Sequence, residues 1–428
     1  MTDRTRPSFL RGTSAGEALS HRDFRIVFAG SFLSSIGSWM RLIVLAAYAY
    51  NVSHSAAFVG QITFAQLAPV FVVGIPAGAL LDRLDRRIVL VVFSALQGVL
   101  SFLFALAALG GSPSRWVLLL LSAGLGICNA VYMPAYLSIL PRLVGSRDLP
   151  GAISLMNASQ NGTRVIGPVI AGVALARLST SEVFVLSGVL MVFVMVSLIM
   201  VPGFKAPARR ESLVESLTGG FRVVRANLVV RRALVVMGLF SFLCLYFVNQ
   251  MPVIAVRSLH ISTSSVGYGV FYAFFGLGAV FGAVATSTVF ARYTTAALTR
   301  WGVVGFGVAL GVFSTAGNLV VACPGIFAVG FAYLVFTTAL GTSLQLELKE
   351  GERGRVSSLW SMAYAGCVGL GSFALGPLAD AVGPMPLMLA GALATIPLWF
   401  YADLRPRPIV VGVQPEALSA LPVIAGDA

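Results

Sequence analysis

The chain has 428 residues, of which 57% are hydrophobic and only 11% charged, with a mean hydropathy of +0.90. A soluble domain carries roughly a quarter charged residues and has too little interior to hide this much apolar surface, so a water-soluble enzyme or binding module is excluded. The net charge of +13 is not accompanied by interleaved aromatic stacking residues, which argues against nucleic acid and places the basic residues in short loops between apolar spans.

Residues 1–25 are a polar tail containing Arg4, Arg6, Arg11 and Arg22. The apolar run that follows is too long for a cleavable signal sequence and reads as a retained membrane helix. A helix needs about 20 apolar residues to cross the hydrocarbon core. By that measure twelve spans are expected, at 26–50, 58–81, 88–110, 116–140, 151–176, 181–202, 233–256, 264–290, 301–318, 320–345, 356–380 and 384–402. They group as an N-terminal bundle of six (26–202), a linker (203–232), a C-terminal bundle of six (233–402) and a polar tail (403–428). In the linker, Leu213, Leu217, Phe221 and Val224 recur at helical spacing, with Glu211, Glu215, Arg222 and Arg225 on other faces. This predicts an amphipathic helix on the membrane surface, interrupted at Gly219-Gly220.

Charge sets the orientation. With the N-terminus inside, the tails and inner loops hold 24 of the 29 Lys and Arg residues, and the outer loops hold Arg115, Arg177 and Arg257. That bias puts both termini in the cytoplasm of a cell whose inner membrane the chain spans repeatedly. An offset of 209 residues lays Gly376-Pro377 on Gly167-Pro168, Gly269 on Gly60 and Gln250 on Arg41, the pattern of two repeated halves with a site between them.

The four cysteines and three histidines are scattered without metal-ligand spacing, so no metal is expected. There is no phosphate-binding Gly-x4-Gly-Lys-Ser/Thr loop and no nucleophile–base pair in the spans, so neither ATP use, a cofactor nor enzymatic chemistry is expected.

The loop after the second span carries the most specific motif: Gly78, Asp82, Arg83, Asp85, Arg86 and Arg87. Gly78 permits close helix approach, and Asp82 stands where it can pair with a cation or a helix N-terminus. Further on come Asn129-Ala130, Pro134-Ala135 and Leu140-Pro141, then Asn157, Arg164, Gly167, Pro168 and Gly172, and late in the chain Gly354-Arg355-Val356, Gly376, Pro377 and Asp380. Over residues 20–405 these runs resemble the major facilitator superfamily, and in particular its drug, macrolide and siderophore exporters. The resemblance implies an all-α membrane fold of twelve helices in two pseudo-symmetric six-helix bundles. It also implies a cytoplasmic gate at Asp82 and Arg83, and a cavity lined by the first, fourth, seventh and tenth helices. On those helices Ser38, Arg41, Asn129, Tyr132, Asn249, Gln250, Tyr333 and Thr337 are the candidates for the cavity. In the loop after the eighth span the motif is degenerate, with Arg292 and Arg300 but no acidic residue.

Gly167-Pro168 and Gly376-Pro377 remove backbone hydrogen bonds and are expected to bend their helices. Arg41 and Arg164 lie within spans, where a cation costs at least ~2.5–3.5 kcal/mol and is kept only if it faces protein or water. Asn157, Gln160, Asn161 and Arg164 share one helical face. No Asp or Glu lies mid-span, so the expected cavity is positive and suits neutral or anionic amphiphiles. The sequence thus predicts a monomeric carrier that exports a small amphiphile by alternating access, with protons as the coupling ion by resemblance. Uptake or lipid flipping on the same fold, and a non-transporting membrane sensor or scaffold, are the alternatives.

Overall fold

The computed structural model describes residues 14–70, 72–73, 84–111, 113–202 and 213–404, and these are helical apart from short connections. Helix α1 (Arg22–Ser53) stops where His54 enters the left-handed region (φ 51°, ψ 26°). Helix α2 (Ala56–Leu67) begins at Ser55, whose Oγ accepts the Phe58 N–H at 3.3 Å. Asp85 caps α3 (Arg86–Leu109) by accepting the Arg87 N–H at 2.8 Å. Helix α4 (Arg115–Leu175) runs for 61 residues but turns at Gly145 (φ 74°, ψ 169°), a conformation that favours glycine. Helix α5 (Thr180–Ile199) opens on a Ser179–Glu182 capping box.

Helix α6 (Leu213–Ala226) meets α7 (Leu228–Cys244) at a bend of 107°. A turn at Tyr246–Asn249 and α8 (Met251–Arg257) complete that crossing. Then come α9 (Val266–Ser287), α10 (Thr295–Phe313), α11 (Leu319–Leu346), α12 (Glu350–Ser361), a π-helical turn at Met362–Gly366, α13 (Cys367–Val382) and α14 (Pro384–Tyr401).

Among the described residues nine helical stretches are long and apolar enough to cross a membrane, and the bent α6–α7 pair makes a tenth. Helix α4, at 1.5 Å per residue, is about 90 Å long, some three hydrocarbon thicknesses. Its two arms on either side of Gly145 are therefore separate crossings. Helix α2, of 12 residues, opens the expected second span, the rest of which falls mostly outside the described residues. Gly78, Asp82 and Arg83 of the loop motif lie outside the described residues.

One expectation is corrected. Helix α6 is not interrupted at Gly219-Gly220; it continues to Ala226, and the break falls at Asn227, whose Oδ1 accepts the Val229 and Val230 N–H groups. The reason is tertiary. Both glycines pack on α12, where an added Cβ would stand 3.0 Å from Arg355 Nη1 and 3.1 Å from Leu359 Cδ1, respectively. Close packing outweighs the weak helix propensity of glycine. The backbone also stays helical through Pro168 and Pro377.

Within the first part of the chain, α1 and α3 each pack on α4 and α5. In the second, α11 packs on α9 and α10, α10 on α14, and α7 on α13 and α14. The two most extensive helix pairs joining the parts are α2 with α13 and the second arm of α4 with α9. Both crossings depend on glycine. A side chain on Gly60 would run into the Ser372 carbonyl, and one on Gly376 would lie 2.8 Å from Ala57 Cα. Gly172 and Gly269 face each other backbone to backbone, and a Cβ on Gly276 would lie 2.8 Å from the Arg164 carbonyl. Small residues at such crossings let helices approach closely enough for dispersion to hold them, since lipid offers no hydrophobic drive.

Polar contacts between the two parts gather at the end of the bundle remote from Arg22 and Tyr401. The Asp380 carboxylate accepts from Ser55 Oγ (2.6 Å), Ala56 N (2.8 Å), Ala57 N (2.9 Å) and Arg257 Nη2 (2.9 Å). It thereby caps the positive end of α2 from another helix. Arg257 also donates to Tyr50 Oη (3.1 Å) and to the His54 carbonyl (2.9 Å), which the left-handed turn presents to it. Gln250 Nε2 donates to the Ala56 carbonyl at 3.0 Å, and Thr263 Oγ1 to Asn51 Oδ1 at 3.1 Å.

These contacts generate two predictions. Asp380→Ala removes a helix cap worth ~0.5–2 kcal/mol and a partly exposed ion pair worth up to about 1 kcal/mol. The form closed at this end should lose ~0.5–3 kcal/mol, roughly 2–150-fold in population. Disulfide formation between Asn51→Cys and Thr263→Cys reads that population, and an unchanged cross-linking rate would show that the carboxylate holds nothing. Gly269→Leu, at a crossing without room for a side chain, should cost about 1–3 kcal/mol and reduce the same cross-link with Asp380 intact.

Candidate functional site

Helix α1 presents Ser34, Ser38 and Arg41 along one side, three to four residues apart. They meet Ser94 and Gln97 of α3, Asn129 and Tyr132 of the first arm of α4, Gln66 of α2, and Gln160 from the second arm of α4. Together these line a cavity of ≈ 270 Å³. Arg41 is 4% exposed. Its Nη1 donates to Ser101 Oγ at 2.9 Å and its Nη2 to Gln97 Oε1 at 3.4 Å. Ser101 Oγ spends its own proton on the Gln97 carbonyl (2.9 Å), which fixes a lone pair towards the guanidinium. Tyr132 stacks on Tyr136, with ring centroids 6.0 Å apart.

A second cavity of ≈ 260 Å³ lies between the two parts of the chain, lined from one by Trp39, Leu42, Leu67 and Arg164 and from the other by Asn249, Phe275, Tyr333 and Tyr364. Trp39 and Leu42 wall both cavities. The Arg164 guanidinium sits 5.4 Å from the Trp39 ring centroid, a cation–π arrangement. Its Nε is buried without a hydrogen-bond partner in the protein. Across the cavity the Tyr333 and Tyr364 hydroxyls are 2.9 Å apart, and Phe275 lies on Tyr333 at 5.9 Å. The Tyr333 hydroxyl lies within electrostatic reach of Arg164. Gly167 is what lets α1 come this close, because any side chain there would strike Trp39 Cβ.

The expected site residues therefore separate. Ser38, Arg41, Asn129 and Tyr132 converge on the first cavity, and Arg164, Asn249 and Tyr333 on the second. Gln250 instead belongs to the closed end, through its bond to Ala56. Thr337 donates to its own helix at the Tyr333 carbonyl (2.8 Å) and lines neither cavity. Asn157 is exposed and Asn161 half-buried; of the polar face on this arm, Gln160 and Arg164 reach the cavities. In the loop motif, Arg86 Nη1 donates to the Ser138 carbonyl (3.2 Å) and Arg87 Nε to the Leu198 carbonyl (2.9 Å), tying α3 to α4 and α5. A larger hollow of ≈ 650 Å³ between α10 and α11 is lined by Phe290, Trp301, Phe327 and other apolar side chains, with no charged group.

Several contributors had no place in the sequence reading. Ser94, Gln97 and Ser101 sit on the third span, outside the four helices that the resemblance singles out, yet their spacing of three and four in an otherwise apolar run is a legible signal. Trp39 and Tyr364 carry no such signal, since an aromatic residue in a membrane helix is ordinary.

Comparison with known proteins identifies the fold and the family. A crystal structure of a point mutant of the nucleoside transporter NupG superposes with a TM-score of 0.74 at 12% identity, covering 90% of this chain and all of that one. A bacterial homologue of the human lysosomal transporter Spinster, in an inward-facing conformation, gives 0.70 at 16% identity over 93% of this chain and 99% of its own. Enterobactin exporters of Citrobacter koseri and Shigella boydii are each 26% identical over 371 residues, 86% of this chain and 87% of theirs. The family model described as transmembrane secretion effector matches residues 13–405. The chain belongs to that family of major facilitator transporters and is a membrane carrier rather than an enzyme.

Proposed function

We propose that this carrier exports a small neutral or anionic amphiphile from the cytoplasm by alternating access, at the expense of the proton gradient, working as a monomer in the inner membrane with both termini inside. One observation carries the substrate class. Arg164 faces a cavity between the two parts of the chain with its Nε unpartnered and aromatic rings around it, and no carboxylate lies within ion-pair distance of it among the described residues. A cation held there without an acidic neighbour repels lipophilic cations and attracts an acid, phenolate or other electron-rich aromatic ligand, which the rings of Trp39, Phe275 and Tyr333 can flank.

The direction of transport follows from likeness to the relatives called enterobactin exporters. In this orientation the clasp at Asp380 and Arg257 shuts the outer face, and the loop from Gly78 to Arg87 acts at the inner gate. Asn157 and Asn161 then line the approach to Arg164, and Gly167-Pro168 and Gly376-Pro377 ease the rocking of the helices that carry the glycine crossings. An uptake carrier or a flippase would share this geometry, and a sensor or scaffold would bind without flux.

Everted vesicles separate these readings. Anionic aromatic amphiphiles should accumulate in everted but not right-side-out vesicles, and collapse of the pH gradient should stop them. Arg164→Ala should lower their transport by about 10–150-fold, the loss of one charge-assisted contact in a desolvated site. Preferential transport of lipophilic cations by the wild type, with Arg164→Ala unaffected, would overturn the substrate class. Accumulation in right-side-out vesicles would overturn the direction.

A further inference from the structure

Arg41 poses a question that the substrate cavity does not answer. Its side chain is buried, with 4% of the residue exposed, yet both of its hydrogen-bond partners are neutral: Ser101 Oγ and the Gln97 amide oxygen, the latter at the long distance of 3.4 Å. Arg257, another arginine that links helices, has the carboxylate of Asp380 at 2.9 Å. No carboxylate lies within 4 Å of Arg41 among the described residues. A guanidinium cannot shed its proton to escape burial. A full positive charge thus stands in a low-dielectric site with only dipoles around it, which leaves it without a counter-charge.

The cavity beside it has the chemistry of an anion site. Ser34, Ser38, Ser94, Gln97, Asn129 and Tyr132 line it, and hydroxyl and amide donors of this kind complete the shell of a small anion. At ≈ 270 Å³ it has room for a halide and several waters, each of about 30 Å³. It is separated from the Arg164 cavity by Trp39 and Leu42, which wall both. We infer that Arg41 holds a small inorganic anion of chloride size as its counter-ion, at a site next to the substrate cavity and distinct from it. The same guanidinium would accept the acid group of a substrate, and the test separates the two sources.

The protein is purified in zwitterionic nanodiscs, and its unfolding temperature is followed as sodium chloride replaces sodium gluconate at constant ionic strength. The expected result is a saturable rise with chloride for the wild type. Arg292→Gln, which removes an exposed surface cation, should retain that rise and so exclude general screening. Gln97→Glu provides a carboxylate where the amide oxygen now meets Arg41. It should fold, because it supplies the missing counter-charge, and it should weaken the chloride response by at least about tenfold. Arg41→Gln should abolish the response; should that variant not fold, Gln97→Glu decides the matter alone. A chloride response in Gln97→Glu equal to that of the wild type overturns the proposal. So does a wild type that ignores chloride but is stabilised saturably by benzoate, which would assign Arg41 to the substrate's acid group. Neither outcome depends on vesicle transport or on Arg164, so the reading of the substrate class stands or falls separately.

Discussion

The closed end of this carrier depends on one carboxylate doing two things at once. Asp380 caps α2 and holds Arg257, and those two partners come from opposite parts of the chain. Neither role is strong alone. A helix cap is worth ~0.5–2 kcal/mol, and an ion pair about 27–30% exposed falls near the surface range of 0–1 kcal/mol. Weakness is what the function requires. In the proposed alternating-access cycle, a clasp that opens and closes has to be stable by a few kcal/mol at most, or the other conformation would never be populated. The glycine crossings of α2 on α13 and of α4 on α9 work on the same scale, through many small dispersion contacts that break together when the helices part.

Where these crossings fall also decides where the cavities can lie. The arm of α4 that brings Gly172 against Gly269 also carries Arg164, and α13, which brings Gly376 against Ala57, follows directly on the π-helical turn bearing Tyr364. Cavity-lining groups and contacts between the two parts therefore share the same rods. A change in contact at the closed end moves Arg164 and Tyr364 with it, and no separate signalling element is needed. The seventh crossing shows the same economy. Its helix is interrupted at Leu245 and again at Gln250, on either side of the single turn Tyr246–Asn249, and the Val248 carbonyl is taken up by the Tyr272 hydroxyl at 3.0 Å. Irregular backbone at membrane depth survives where protein groups satisfy it, and here the irregularity turns Asn249 towards the cavity and Gln250 towards α2.

This explains how far the sequence was legible. Twelve spans, the long connection after the sixth and the bias of basic residues were readable because each rests on local composition: about 20 apolar residues make a crossing whatever their neighbours. The glycines at 60 and 269 stood out through the 209-residue offset, and the structure places both at contacts between the two parts. What failed was whatever neighbours decide. The Gly219-Gly220 pair reads as a breaker in isolation and is helical because α12 packs on it. Asn249 and Gln250 are adjacent polar residues with the same prior, and only the break in their helix assigns one to the cavity and the other to the closed end. Thr337 was a candidate because it is polar, but it had a nearer partner in the carbonyl one turn back, the usual fate of a threonine in a helix.

Three of the arginines, Arg257, Arg164 and Arg41, illustrate why residue type alone does not assign a role. Arg257 is neutralised by Asp380 and braces an interface. Arg164 lies against an aromatic face and lines a cavity between the halves, its Nε buried without a partner in the protein. Arg41 has neutral partners only. Hydrocarbon makes these differences sharp. In water each guanidinium would be solvated alike, whereas at membrane depth an uncompensated charge costs several kcal/mol, so each must be matched by something. On the proposed readings, a cavity whose fixed charges are cations without acids takes the missing negative charge from solution, as an ion or as part of the cargo.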